Sequence, residues 1–513
     1  MAATATGEVA GLAVETAHGP VRVYRGVPYA DAERFRPPAA PPAWSGVRDA
    51  TRDSAAVPQN PDLAFSMLGL PQAPWSEHGS LTANVWAPGS SHGVASDALP
   101  VMVWVHGGGY VTGSNSSPMN DPLPLAAAER VVVVALNYRL GVFGFPPAAP
   151  LLGEGYEDAA NLGLLDLVAG LEWVQQNIAA FGGDPARVTV FGESAGGAAV
   201  ATLLGMPRSR GLFSRAIVQS GTAERARTAD EAAVAAELFL HGAGLPPASA
   251  RELLTWPAER LLEAQESFTA LVARESVGLP LPFLPAIDGR SLPALPLEAI
   301  AAGEGDEVEL IVGTNRNEAG LFRAFGPPST PAQDAQRLED LVSRVLGATD
   351  SCEYVEAVSA ARRAEVDAGD ALEAFLTDVQ YRQPTNRLLA ARARAGVAPT
   401  RAYQFCWPSP AFGGRLGSVH TLEIPFVFGL TDRPEHQLFL EGAAPAALSQ
   451  AMMQAWGGFA RTGVPTSPLL PPWPAHDADE RLTMVFDETS RVASDPYGPL
   501  RRFWIDARSP GRG

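Results

Sequence analysis

The sequence predicts an α/β fold: a large, mainly parallel central sheet flanked by helices, with helical insertions. Three observations predict it. Runs such as Val101-Met-Val-Trp-Val105 and Val131-Val-Val-Val-Ala-Leu-Asn137 are apolar almost throughout, as strands buried on both faces must be. Helix-spaced apolar segments alternate with these runs, the pattern of a doubly covered parallel sheet. Finally, Val188-Thr-Val-Phe-Gly-Glu-Ser-Ala-Gly-Gly197 passes from strand-like alternation through a glycine-flanked turn into an apolar, helix-like run ending near Leu204.

Taken in order, residues 7–50 read as short strands and turns, with Val21-Arg-Val-Tyr24 alternating and the proline-rich 37–42 irregular. Asn84-Val-Trp86 reads as another strand. Leu164, Val168, Leu171, Val174 and Ile178 fall at helical spacing and predict an amphipathic helix. Gly182-Gly-Asp-Pro185 ends it. Residues 216–220, 309–313 and 403–405 are further strands, and 482–486 is read as the final edge strand. Residues 224–280, rich in Ala, Glu, Leu and Arg, predict short helices inserted over one end of the sheet, and 333–397 is a second helical stretch. No repeat or long polar linker divides the chain. A single domain over 1–513, with insertions near 224–280 and 333–397, is therefore expected.

Composition excludes whole classes of function. The chain has 513 residues, 46% of them hydrophobic, which is ample for a core. A net charge of −18 and a pI of about 4.9 argue against nucleic acid and against anionic membrane surfaces. There is no lysine, so all 38 basic residues are arginine. Ser-Lys dyads, Schiff-base enzymes and P-loop NTPases are thereby ruled out. The N-terminal residues show neither a basic start nor an apolar core, and no charge-free apolar run is long enough to span a bilayer. A cytoplasmic location is expected, with a processed secreted form left open. Cys352 and Cys406 are too few for a disulfide framework or a zinc cluster. Cys406 reads as a small buried hydrophobe, and whether the two pair is left open. No cofactor or metal is expected.

The chemistry gathers at Gly192-Glu193-Ser194-Ala195-Gly196, a G-x-S-x-G pattern in strand–turn–helix context. A serine hydroxyl is a weak nucleophile. It needs a base, and the base needs an orienting acid. In α/β-hydrolases the order along the chain is Ser, acid, His, which leaves His241, His420, His436 and His476 as bases. His241 lies in the helical insertion, and His436 and His476 read as solvated surface residues. His420 is on a loop after a late strand and is the chosen base. For the acid, Glu318 follows strand 309–313. Asp288 is the rival, although its flanks resemble a turn, and Asp306 precedes the strand. In His106-Gly-Gly-Gly-Tyr110, also just past a strand, successive glycines can turn N–H groups toward a ligand, half of an oxyanion hole.

These segments resemble the type-B carboxylesterase family, which includes bacterial para-nitrobenzyl esterases and the cholinesterases. The resemblance runs through Arg25-Gly-Val-Pro-Tyr-Ala30, Asn84-Val-Trp86, His106-Gly-Gly-Gly-Tyr110 and Asn161-Leu-Gly-Leu-Leu-Asp166. It continues through Phe181-Gly-Gly-Asp-Pro185, residues 188–197, Gln219-Ser-Gly221, 313–318, 420–429 and Trp473-Pro474. It implies an α/β-hydrolase fold, with Ser194 as acyl-forming nucleophile, His420 as base and then acid, and Glu318 as orienting carboxylate. It further implies oxyanion N–H groups from Gly108, Gly109 and Ala195, and supporting roles for Glu193 and Ser220. Two departures stand out. Glu77-His-Gly-Ser80 lacks the family's usual cysteine, which puts a structural ion pair in doubt, and Leu167 stands where glutamine is usual.

The activity implied is hydrolysis of a small-molecule ester, short- to medium-chain or aryl, through an acyl-enzyme. A carbamate or amide hydrolase on the same machinery is the alternative, and an inactive binding homologue is a further one. The start of the first insertion carries Glu224, Arg225, Arg227, Asp230 and Glu231, unlike an apolar interfacial lid. A monomer or small homo-oligomer is expected.

Overall fold

The computed structural model describes residues 1–507 apart from 63–64, 67–69, 90–97, 275, 277–279, 327, 348–349 and 395. A small sheet at the N-terminus joins β1 (Ala2–Thr4), β2 (Gly7–Ala10) and β5 (Val47–Asp49). The large sheet contains β3 (Leu12–Val14), β4 (Val21–Pro28), β6 (Thr82–Pro88), β7 (Leu99–Val105) and β8 (Val132–Leu136). It continues with β9 (Gly183–Glu193), β10 (Arg215–Gln219), β11 (Glu309–Asn315), β12 (Thr400–Phe405), β13 (Leu482–Phe486) and β14 (Arg491–Ser494). The spatial order is β14-β13-β12-β11-β10-β9-β7-β8-β6-β4-β3. Pairing is parallel from β8 through β7 and β9 to β13 and antiparallel at both margins. One expectation is corrected here. Leu482–Phe486 is not the edge, because β14 pairs antiparallel outside it. That strand is short and carries Arg491, which suits an exposed margin.

The apolar runs follow from coverage on both faces. Val101, Val103 and Val105 of β7 face one core, with the helices Leu162–Asn177 and Ala195–Leu204 packed over it. Met102 and Trp104 face the other, under Leu125, Met452, Trp456 and Phe459 from helices Leu123–Glu129 and Ala446–Thr462. The helix predicted as amphipathic, Leu162–Asn177, is buried over most of its circumference. Even its Asp166 is inside, held by Arg139. A third core, around Tyr354, Phe375 and Trp504, joins helices Pro331–Leu346, Ser351–Arg362, Ala368–Thr377 and Gly498–Ala507. No helix among the described residues is long and apolar enough to cross a membrane.

Strand order locates the site. From β7 the chain moves outward to β8, then crosses back to lay β9 on the other side of β7. The order therefore reverses between β7 and β9, and in open α/β sheets the crevice at the carboxyl ends of such strands is where ligands bind. His106 follows β7 directly and Ser194 follows β9.

The ion pair placed in doubt by the missing cysteine is present. Arg34 Nε donates to Glu77 Oε1 at 2.6 Å and Nη2 to Oε2 at 2.5 Å, a bidentate fork. Ser80 takes the cysteine's place and is buried. Cys352 is exposed, Cys406 is buried, and both are unpaired.

Candidate active site

Ser194 stands between β9 and the helix Ala195–Leu204 with φ 56° and ψ −121°. L-residues rarely adopt this backbone, and it persists only where the surroundings enforce it. Here β9 continues its ladder one residue further, Ser194 N–H donating to Gln219 O at 2.9 Å, before the chain reverses into the helix. Close packing makes the reversal depend on glycine. A Cβ on Gly196 would lie 2.0 Å from Val105 O, and one on Gly192 would lie 2.6 Å from Gly196 C.

The Ser194 Oγ–H donates to His420 Nε2 at 2.8 Å, and His420 Nδ1–H donates to Glu318 Oε2 at 2.6 Å. Glu318 Oε1 accepts from Ser220 Oγ at 2.6 Å and from the Asn315 N–H at 2.7 Å. Ser220 is itself at φ 50°, just past β10. Each of these residues lies just beyond the end of a neighbouring parallel strand or on the loop after it. The structure thus brings together the predicted Ser194, Glu318, His420, Glu193 and Ser220. Asp288 lies apart, accepting from Asn161 and Ser291 in a turn, and Asp306 pairs with Arg394.

The predicted oxyanion glycines lie on the loop after β7. Gly108 has φ 106° and Gly109 φ 64°. Gly108 has no room for a side chain, since a Cβ would sit 2.1 Å from Thr112 O. Among the described residues neither glycine N–H has an acceptor in the chain. Ala195 is the first residue of its helix, so its N–H has no intrahelical acceptor either. The loop is fixed from behind: Tyr138 Oη–H donates to His106 O at 2.9 Å, and the Tyr138 ring stacks on the His106 imidazole.

Three residues that sequence reasoning left without a role complete the surroundings. Glu423 Oε2 accepts from Asn315 Nδ2 at 2.6 Å, and its Oε1 accepts from Gln219 Nε2 at 3.1 Å. Phe322 and Tyr381 cover His420, with ring centroids 5.5 and 4.9 Å away. Tyr381 belongs to a π-helical turn, Asp378–Arg382, a local rewinding often found at sites that aim a side chain. Glu423 lies three residues past His420, but nothing in its flanks signals burial.

Three carboxyl groups therefore surround one imidazole. Burial alone would push His420 down. The charges of Glu193 and Glu318, the Glu318 hydrogen bond and the Glu423 charge outweigh burial and bring it up to about 9. Glu193 is pushed well above the usual carboxylate range, chiefly by burial and against the pull of His420, with Glu423 and Glu318 adding. These influences compete, because a protonated Glu193 gives His420 no charge. Glu193 Oε1 is 3.3 Å from His420 Nε2 and has no hydrogen-bond partner among the described residues, whereas Glu318 accepts three bonds. His420 remains raised, through Glu318.

The remaining histidines differ from expectation in one respect. His436 and His476 are buried, not solvated, and burial pushes His436 down to about 4. His241 is exposed, and His92 lies outside the described residues.

A model of the carboxylesterase family matches residues 1–504. The para-nitrobenzyl esterase of Bacillus subtilis (strain 168) is 36% identical over 492 residues, covering 95% of this chain and 95% of that protein. The phenmedipham hydrolase of Pseudarthrobacter oxydans is 34% identical over 494 residues, covering 93% and 94%. A solved para-nitrobenzyl esterase structure matches with a TM-score of 0.82 at 34% identity, covering 98% of each chain. The Geobacillus stearothermophilus carboxylesterase matches at 0.79 and 35%, covering 96% and 99%. Similarity of this extent, across a site with a serine in hydrogen-bond contact with a carboxylate-oriented histidine, leads to one conclusion: the chain belongs to the carboxylesterase family and is a serine-dependent carboxylic ester hydrolase.

Proposed function

We propose that Ser194 is the nucleophile, His420 the general base and then acid, and Glu318 the acid that orients it, in hydrolysis of short- to medium-chain or aryl esters. The continuous path from Ser194 Oγ through His420 to Glu318, at 2.8 and 2.6 Å, carries this reading. His420 takes the serine proton as Oγ attacks the ester carbonyl. Glu318 holds the Nδ1–H tautomer and stabilises the imidazolium that forms. The carbonyl oxygen, now negative, is met by the N–H groups of Gly108, Gly109 and Ala195, which wait without acceptors. His420 then protonates the leaving alkoxide, and a water repeats the sequence on the acyl-enzyme. Glu193 and Ser220 support the arrangement, Ser220 by holding Glu318 and Glu193 by lining the base.

Acyl size is limited in this proposal by the residues around the base and the oxyanion loop. Leu281 would lie 3.6 Å from a Cβ on Gly109, and Phe322 and Tyr381 cover His420. Each added CH₂ contributes about 0.8 kcal/mol only while room remains, so rates should peak and then fall along the series. A p-nitrophenyl ester series from acetate to palmitate, run below and above the solubility limit, tests this. Highest activity on palmitate, or a jump when substrate forms an emulsion, would contradict it.

The same proposal includes a single catalytic domain with inserted helices, supported by residues of 229–273 such as Phe239, Leu261 and Phe268 sharing a core with the sheet. It also includes a monomer or small homo-oligomer in a reducing cytoplasm, supported by the two unpaired cysteines.

A further inference from the structure

The charged start of the first insertion reads as unlike an apolar interfacial lid, and in the structure its Asp230 and Glu231 are exposed whereas Glu224, Arg225 and Arg227 are half-buried. Glu224 forms a two-pronged pair with Arg387. Arg225, the next residue, has its guanidinium carbon 5.6 Å from the centroid of the Tyr381 ring. Tyr381 is the residue that covers the His420 imidazole. The guanidinium thus lies one aromatic ring away from the base.

Arg225 is under-supplied with acceptors. A guanidinium carries five N–H donors and no acceptor. Here one of them, on Nη2, donates to Gln380 O at 3.0 Å. No carboxylate among the described residues stands within ion-pair distance, and the adjacent Glu224 is taken by Arg387. Other enclosed arginines are better supplied. Arg139 grips Asp166 with two nitrogens, and Arg392 donates to the carbonyls of Gly305, Val308 and Ala398.

A second donor lies within reach of the same charge. Tyr110 follows Gly109 directly on the oxyanion loop. The residue is 2% exposed, and its hydroxyl has no hydrogen-bond partner among the described residues. The Arg225 charge acts on this phenol as well as on that of Tyr381. A buried hydroxyl without a partner is costly, and a half-buried cation beside it gains from an anion. Both are donors that lack an anionic or hydrogen-bonding partner among the described residues, and the group that would satisfy both is an acceptor with negative charge. Planar guanidinium and carboxylate match in geometry, and a pair formed out of water is strong.

We propose that Arg225, with the Tyr110 hydroxyl, is a specificity site for a carboxylate carried by the ester substrate, so that half-esters of dicarboxylic acids or esters of carboxylate-bearing alcohols are favoured over their neutral counterparts. This deepens the esterase reading and rests on it. It also runs against the charge of the whole molecule. At −18 the chain repels anions at long range, so the preference is local to the pocket and is expected to strengthen when added salt screens that repulsion.

Two substrate pairs test it and locate the carboxylate. Mono-p-nitrophenyl adipate against p-nitrophenyl hexanoate varies the acyl end, and 4-acetoxybenzoate against 4-methylphenyl acetate varies the alcohol end. The readout is the ratio of kcat/KM, charged over neutral, in the wild type, Arg225→Gln and Arg225→Lys. In at least one pair Arg225→Gln should lower the ratio about tenfold, mainly through KM, and Arg225→Lys should recover part of it. A fall of less than threefold in both pairs overturns the proposal. Fluorophosphonate labelling verifies that the variants are folded. Should Arg225→Gln take no label, the wild type alone decides: adipamate must inhibit p-nitrophenyl hexanoate hydrolysis at a lower concentration than hexanamide, and equal inhibition overturns the idea. If the wild type hydrolyses none of the four esters, it is the esterase reading that fails. If it hydrolyses the neutral ones and the ratio does not move, only this proposal does.

Discussion

Buried acids are treated in two ways in this molecule. Asp166 and Asp378 are fully enclosed, and each is gripped by an arginine: Asp166 by Arg139, and Asp378 by Arg382 with the Tyr354 hydroxyl and the Trp504 N–H. Around His420 three glutamates are equally enclosed, and no arginine pairs with any of them among the described residues. Glu318 and Glu423 are satisfied by neutral donors from Ser220, Asn315 and Gln219. The difference separates scaffold from chemistry. A guanidinium beside Glu318 would neutralise it permanently. Neutral donors leave its charge free to hold the His420 Nδ1–H and to stabilise the imidazolium.

The sharpest break in that comparison is at the serine. Ser194→Ala should lower kcat by about 10⁶, and removing His420 in addition should cost little more, because the members act as one unit. Ester hydrolysis by the purified variants at matched protein concentration checks it. Retained high activity in Ser194→Ala would remove the nucleophile assignment.

Next comes the acid. Glu318→Gln keeps the volume and loses the charge that awaits the imidazolium, so kcat should fall roughly 10⁴-fold with folding retained. Asp288→Asn serves as the control. If it is the dead variant and Glu318→Gln is near wild type, the acid is misassigned.

On the scaffold side the readout moves from rate to stability. Asp166→Asn leaves Arg139 buried without its counterion and should destabilise by roughly 3–5 kcal/mol. The rate per labelled serine should stay within about threefold of wild type. Chemical denaturation and active-site titration separate the two effects, and a large rate loss without a stability loss would erase the distinction between the regions.

The smallest effect concerns pH. His420 must be neutral to accept a proton, and its pKa lies above the usual histidine value. The acid limb of kcat/KM should therefore have its midpoint above ~6.5, activity falling as pH drops through it. A Glu193 that holds its proton contributes no charge, so Glu193→Gln should leave that midpoint where it is. A downward shift in the variant would mean that Glu193 is ionised in the free enzyme.

Much of this was readable beforehand, and the rest has a physical reason for being hidden. Strands buried on both faces announce themselves as unbroken apolar runs, so β7, β8, β9, β10 and β11 stood out. A glycine-flanked serine between strand and helix nominates Ser194, and chain order together with position just past a later strand nominates Glu318 and His420. What order cannot convey is which side of a turn faces inward. Glu423 in Thr-Leu-Glu-Ile-Pro reads as surface chain, yet it is fully buried, because strand neighbours far away in sequence supply its donors. His436 and His476 sit among charged residues and were misjudged for the same reason. The short β14 has only weak alternation, so the apolar β13 before it passed for the margin. Arg225 was counted as one charge among several, and only packing singles it out.

The bond between Ser194 and His420 joins residues 226 positions apart. During synthesis, then, the proposed nucleophile, its strained turn and the proposed oxyanion loop all leave the ribosome long before the proposed base exists. For that interval the nascent chain carries a serine with no group to deprotonate it, in a sheet that still lacks β12, β13 and β14. Hydrolytic power is withheld until the chain is nearly complete. On the proposed mechanism, a chain cut before the His420 loop lacks its general base.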